Sequence, residues 1–137
     1  MSLNKGYLII ENIVISVKDD MTAFLKKTML FEKKIENINN YYHIYINDIQ
    51  ICGFLVHFRI SYNELGELCC INISIKDNKE NIDEYLKLFK SITNIKEIYR
   101  IDKFGIITQN EYDWGTAGLY KERFFGELYI SINKKME

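Results

Sequence analysis

The side chains able to do chemistry in this sequence are few, and each can be tested for the partners its chemistry requires. His43 and His57 are the only groups with an ordinary titration near neutral pH, and Cys52, Cys69 and Cys70 are the only thiols. A Cys–His dyad is conceivable if Asn47-Asp48 closes a two-residue hairpin, because Ile46 then faces Ile49 and His43 faces Cys52. In that register both groups lie in mid-strand without a third residue to orient the imidazole, and a mid-strand thiol is ordinarily buried and inert. His57 falls several residues further along, so the two imidazoles do not share a site. Three cysteines make an odd count, and no C-x-x-C spacing occurs. Neither a disulfide framework nor a zinc site is indicated, and no metal or cofactor is expected.

Acids and a guanidinium are concentrated late in the chain. Glu111 and Asp113 flank Tyr112, and Glu122 precedes Arg123, so these groups could converge in one place. If Leu119 to Phe124 is helical, Lys121 and Glu122 are instead simple surface charges. Gly115-Thr-Ala-Gly118 is not a phosphate loop, since no Lys-Ser or Lys-Thr follows at the required spacing. It also matches the G-x-x-G of a KH domain, but that loop clamps a nucleic-acid backbone and this chain has no basic surplus. No catalytic constellation emerges.

Residues 113–126 are set apart by composition. The chain is rich in Ile, Lys, Asn, Tyr and Phe and has no proline, as codon usage in an AT-rich genome would impose. This segment nevertheless holds the single tryptophan, Trp114, together with one of two alanines, one of three arginines and three of seven glycines. Tyr112, Trp114, Tyr120, Phe124 and Phe125 offer large aromatic area at low conformational cost, Arg123 a planar fork, and the glycines a loop that can approach another backbone. Such residues anchor interfaces. The competing reading is structural: Trp114 and Phe125 lid the core while Gly115 and Gly118 shape a turn. From the sequence both readings stand.

The elements that must position these groups follow from periodicity. Tyr7 to Val17 is β-branched and reads as one strand, or two short ones broken near Glu11-Asn12. Asp19 and Asp20 supply capping oxygens for a helix with Met21, Phe24, Leu25, Thr28 and Met29 at helical spacing, ending near Leu30. Asn39-Asn40, Asn47-Asp48 and Asn63-Glu64-Leu65-Gly66 are turn signals that imply a β-meander. Alternation puts Cys52, Phe54, Val56, Phe58 and Ile60 on one face of a strand, and Cys69, Ile71, Ile73 and Ile75 on one face of the next; these nine form the expected core. The opposite face carries Leu55, His57 and Arg59 beside Cys70, Asn72, Ser74 and Lys76, a half-solvated surface normal for an antiparallel sheet. Asp77 with Glu80 resembles a capping box for a second helix whose stripe is Ile82, Tyr85, Leu86, Phe89 and Ile92, stopping at Asn94. Strands are expected around Ile95 to Ile101, around Gly105 to Thr108, and at the end, with Leu128, Ile130 and Ile132 inward; the tail from Lys134 is expected to fray.

The 137 residues fit one domain, 1–137, able to hide roughly two-thirds of the surface its unfolded chain exposes. A composition of 47% hydrophobic and 27% charged residues excludes wholesale disorder, and a net charge of −1 gives no global pull toward nucleic acid or an anionic membrane. Neither a signal peptide nor a run of about eighteen apolar residues is seen, so a cytoplasmic location is expected. The expected fold is α+β: a mostly antiparallel sheet of five to seven strands with two helices on one face, in the order β-α-β-β-β-β-α-β-β.

The functional expectation is a small binding protein rather than an enzyme. Its partner surface would comprise Tyr112, Asp113, Trp114, Tyr120, Glu122, Arg123 and Phe124, and its concrete version is a toxin-neutralising, immunity-type protein. A nuclease target is disfavoured, because −1 does not match a basic cleft. The alternative is a small-molecule binder or enzyme with a pocket between the sheet and residues 111–126, drawing on His57, Arg59, Asn72, Ser74 and Glu111. A third reading is homo-oligomerisation through a strand edge or the aromatic segment.

Overall fold

The computed structural model describes residues 3–77 and 80–136. Its elements are β1 (Tyr7–Ile10), β2 (Ile13–Ser16), α1 (Met21–Lys27), β3 (Lys34–Ile38), β4 (Tyr41–Ile51), β5 (Phe54–Tyr62), β6 (Leu68–Ile75), α2 (Ile82–Thr93), β7 (Ile106–Tyr112), β8 (Gly115–Lys121) and β9 (Leu128–Lys134). The fold is α+β. β3 to β9 make one seven-stranded sheet in the order β3-β4-β5-β6-β9-β8-β7, with every neighbouring pair antiparallel. β1 and β2 form a separate hairpin. The first β-branched run is thus two strands, broken at Glu11-Asn12, where Glu11 takes a positive φ of 52°.

α1 begins where expected. Asp20 accepts a hydrogen bond from Ala23 N at 2.8 Å, while Asp19 turns to Ser16 N and to Lys27. The helix closes at Thr28, one turn early. Its fully buried Phe24 packs against Phe58 and Tyr62, with ring centroids 6.2 and 6.0 Å apart. α2 is capped by Asn81, not by an Asp77–Glu80 box: Asn81 Oδ1 accepts from Glu84 N, and Asp77 has a left-handed backbone. It buries Tyr85, Leu88, Phe89 and Ile92 on the apolar sheet face and stops at Asn94 in the αL conformation. Ile75 N donates to Tyr85 Oη at 2.8 Å, pinning α2 to the end of β6.

The core expectation holds for Val56, Phe58, Ile60, Ile71, Ile73 and Ile75, all buried, holds in part for Phe54, which is half-buried against the core, and fails for the cysteines. Cys52 is exposed and Cys69 only half-buried. Cys69 is the extra residue of a bulge on β6, between Leu68 opposite Tyr62 and Cys70 opposite Ser61, and Cys52 is displaced by a misread turn. Asn47-Asp48 is a β-bulge inside an eleven-residue β4, where Ile46 pairs with Phe58 and Ile49 with Val56. One extra residue on β4 keeps Ile44, Ile46, Ile49 and Ile51 all facing the core despite broken alternation. The hairpin closes instead at Cys52-Gly53, with φ of 50° and 82°, the primed turn that matches strand twist. His43 therefore faces Ser61, and its Nδ1 lies 2.7 Å from Ser61 Oγ; no Cys–His dyad forms.

The second half differs more. Residues 95–101 are irregular rather than a strand, although Ile101 N still donates to Ile107 O and Thr108 Oγ1 to Tyr99 O, so the segment runs beside β7. Residues 113–126 are not a glycine-rich loop, nor is 119–124 a helix: Tyr112 pairs with Gly115 across an Asp113-Trp114 turn, and Gly115–Lys121 is an interior strand between β7 and β9. β9 continues through Lys134, and Lys135 N donates to Trp114 O at 2.7 Å, so the strand end is held rather than frayed. Among the described residues no helix is long and apolar enough to cross a membrane.

Candidate functional site

β8 separates the residues that the sequence grouped together. Tyr112, Asp113 and Trp114 lie at one end of this seven-residue strand and Glu122, Arg123 and Phe124 beyond the other, roughly 20 Å apart at about 3.3 Å per residue. At the first end Trp114 is half-buried: its ring stacks on Tyr112 at 5.1 Å with planes 7° apart, and its Nε1 donates to Leu3 O at 2.8 Å. Both rings pack against the core. The lid reading holds for Trp114; Phe125, its proposed companion, is 78% exposed. Tyr120, the penultimate residue of β8, lies on the outer sheet face, stacked on Tyr129 at 5.5 Å and lying over Gly118, where a Cβ would come within 2.4 Å of the Tyr120 hydroxyl. Burial, and then Tyr129, pushes the Tyr120 phenol above its ordinary range.

The second end carries three strongly exposed phenylalanine rings. Phe104 is 98% exposed, Phe124 83% and Phe125 78%. Two loops carry them. Lys103 and Ile106 exchange backbone hydrogen bonds, so Phe104-Gly105 forms the centre of a tight turn, with φ of 56° and 78°. Gly105 O accepts from Lys121 N, which fixes this turn against the end of β8. In the second loop Glu122 N donates to Glu127 O, and the Glu122 carboxylate accepts from Phe124 N at 2.8 Å and Phe125 N at 2.6 Å. Glu122 therefore braces the turn that presents both rings. Phe104, Lys121, Glu122 and Arg123 line one shared depression of about 460 Å³.

Three cations, Lys103, Lys121 and Arg123, stand around these rings, beside the carboxylates of Glu122 and Glu127. Arg100 is paired with Asp102 at 2.9 Å, and Glu122 is spent on backbone N–H groups, whereas Lys103, Lys121 and Arg123 form no ion pair among the described residues. The balanced net charge of the chain concealed this arrangement. Phe104 was likewise missed, because a lone Phe before Gly carries no sequence signal until the turn geometry is known.

The outer face of the seven-stranded sheet bears the other predicted group. Tyr45, Arg59, Asn72 and Ser131 are cross-strand neighbours along one row, and His57 pairs with Ser74 beside it. His57, Arg59, Asn72 and Ser74 do line one concavity, of about 490 Å³, joined by Glu122. Glu111 does not join them. It lies on β7, four strand positions from β5, roughly 19 Å away at about 4.8 Å per strand, exposed and opposite Thr116. Asp113 is exposed at the Trp114 turn, apart from both concavities. Among the described residues no group of three or more His, Cys, Asp or Glu could hold a metal ion.

Compared with protein-family models, curated proteins and solved structures, the chain matches none.

Proposed function

We propose that the protein captures a protein partner through the aromatic loops at the Lys121 end of β8, with Phe104, Phe124 and Phe125 as anchors and Lys103, Lys121 and Arg123 as a basic rim. The observation that carries this reading is Phe104. It occupies the first central position of a primed turn, where φ is positive and Asn or Gly is preferred, and its ring is almost wholly in water. Neither folding nor burial rewards phenylalanine there. A contact made outside the chain would, and strained backbone tends to mark such places. Large aromatic side chains on loops already braced by backbone and carboxylate hydrogen bonds lose little entropy on binding.

Toxin neutralisation is the concrete version of this reading. The basic rim narrows its target to one that presents an acidic, apolar recess, and argues against the cationic cleft of a nuclease. Homo-oligomerisation through sheet edges is less favoured, because Lys34 and Glu36 place charge on β3 and residues 99–103 run along β7.

The test is affinity capture from cells that make the protein, comparing wild type with Phe104→Asn combined with Phe124→Ser. A stoichiometric partner retained by wild type and lost by the folded variant is expected. No stoichiometric partner over several growth conditions, or one held equally by the variant, would overturn the reading.

A further inference from the structure

One edge of the seven-stranded sheet is open. β3 has a single neighbour, β4, and among the described residues no other segment bonds to its far side. The two strands are joined by Asn39-Asn40, both at positive φ, 51° and 68°, so Ile38 and Tyr41 form the hydrogen-bonded pair that flanks a primed two-residue turn. Alternation then directs the backbone N–H and C=O of Glu36 and Lys34 toward β4 and those of Ile35 and Asn37 outward. Ile35, opposite buried Ile44, lies on the core-facing side of the sheet yet is 50% exposed. Lys34 and Glu36 stand on the other side, 3.5 Å apart and solvated. Folding leaves the apolar side chain and the outward backbone groups unused.

We propose that this edge pairs, antiparallel, with β3 of a second copy of the chain about a two-fold axis at Ile35. In that register the outward backbone groups of Ile35 bond those of the partner's Ile35, the two side chains pack together, and Lys34 of each copy lies opposite Glu36 of the other. The neighbouring axes fail. An axis at Glu36 sets the two Glu36 carboxylates against each other, and one at Asn37 sets Glu36 opposite Ile38. Charge on β3 therefore keeps unmatched strands off the edge, while this one strand meets it with opposite sign. A strand of five residues covers less than the roughly 1,200 Å² of a standard stable interface, so the pair is weak and separates on dilution. It does not stand in for the aromatic loops, which lie five strand positions away at β8 and stay uncovered in both copies.

Sedimentation equilibrium at about 50 mM salt should show reversible dimers of the wild type, with a Kd on the order of 0.1–1 mM. Lys34→Glu sets a carboxylate opposite Glu36, and Glu36→Lys an ammonium opposite Lys34; each alone should weaken self-association by about tenfold or more. Both side chains are solvated, so the substitutions leave folding intact. Mixed in equal amounts, the two variants regain complementary charge, and their mixed dimer should form within about threefold of the wild-type Kd. Phe104→Asn combined with Phe124→Ser should leave dimerisation unchanged. A wild type still monomeric at about 5 mM, charge variants that associate as the wild type does, a mixture no tighter than its components, or loss of the dimer in the loop variant would each overturn the proposal.

Discussion

The indole N–H of Trp114 donates to the carbonyl of Leu3 at 2.8 Å, across 111 positions of sequence. It ties the β7–β8 turn to the start of the chain, while Lys135 N donates to the Trp114 carbonyl and draws in the end of β9. One residue thus fastens three distant segments. Gly6 passes beneath the ring, where a Cβ would lie 3.6 Å from Trp114 Cδ1 and 2.7 Å from Val17 Cγ2. Trp114→Phe should destabilise by about 1–2 kcal/mol through the lost hydrogen bond and stacking area, read from urea unfolding. In the wild type its emission should be blue-shifted from free tryptophan and only partly quenched by acrylamide. Emission at the free-indole position with full quenching would contradict this placement.

The glycines of β8 answer to two different obstacles. A Cβ on Gly115 would fall 2.0 Å from the carbonyl oxygen of Asn133, which the sheet holds in place, so Gly115→Ala should cost about 3 kcal/mol or more. At Gly118 the obstacle is the Tyr120 ring. Gly118→Ala should cost about 1–3 kcal/mol, and adding Tyr120→Ala should recover part of that loss, giving a coupling of at least about 1 kcal/mol in a double-mutant cycle. Additive effects would show that the ring is not what excludes the methyl group.

The proposed role of Phe104 sets partner capture against stability. Phe104→Asn puts a residue suited to positive φ into the turn and removes a ring that packs on nothing, so unfolding free energy should rise by about 0.5–1 kcal/mol. Partner capture should fall at the same time. Phe124→Ser and Phe125→Ser should leave stability within about 0.5 kcal/mol. A large loss at any of the three would mean that these rings support the fold.

Reactivity should sort the thiols by position. Cys52, exposed in the β4–β5 turn, should alkylate before Cys69 and Cys70 in the folded protein. Burial nonetheless pushes the Cys52 thiol above its ordinary range. Less thiolate is present at neutral pH, so its rate should lie below that of a free cysteine and keep climbing at pH values where the free thiol has levelled off. Mass mapping of iodoacetamide adducts over a pH series checks both statements.

Asp48 closes the β4 bulge to β6 through Lys76 at 2.6 Å, and that hydrogen bond holds its carboxyl below the usual carboxylate range. A lowered folded pKa stabilises above the unfolded value and loses that contribution as pH falls through the folded one. Asp48→Asn should therefore lower stability slightly at neutral pH, and the difference from wild type should disappear as pH falls through the folded carboxyl's range. Both side chains are well solvated, so the difference should vanish in molar salt.

Periodicity and capping chemistry in the sequence were enough to determine the α+β class, both helices, the apolar faces of β5, β6 and β9, and the polar face holding His57, Arg59, Asn72 and Ser74. Those are local properties: alternating Ile and Phe on a strand must face one way, and Asp20 or Asn94 ends a helix using neighbouring backbone. Only the tertiary structure decided that Asn47-Asp48 is a bulge, since a turn and a bulge use the same residues and differ in whether the partner strand continues opposite. It alone made residues 115–121 an interior strand, because Gly115 and Gly118 look like loop residues until Asn133 and Tyr120 occupy the space beside them. It also parted Trp114 from Arg123 by the length of β8 and set the Phe104 turn and the Phe124-Phe125 loop at the same end of that strand, an arrangement set by strand order, which no local pattern encodes.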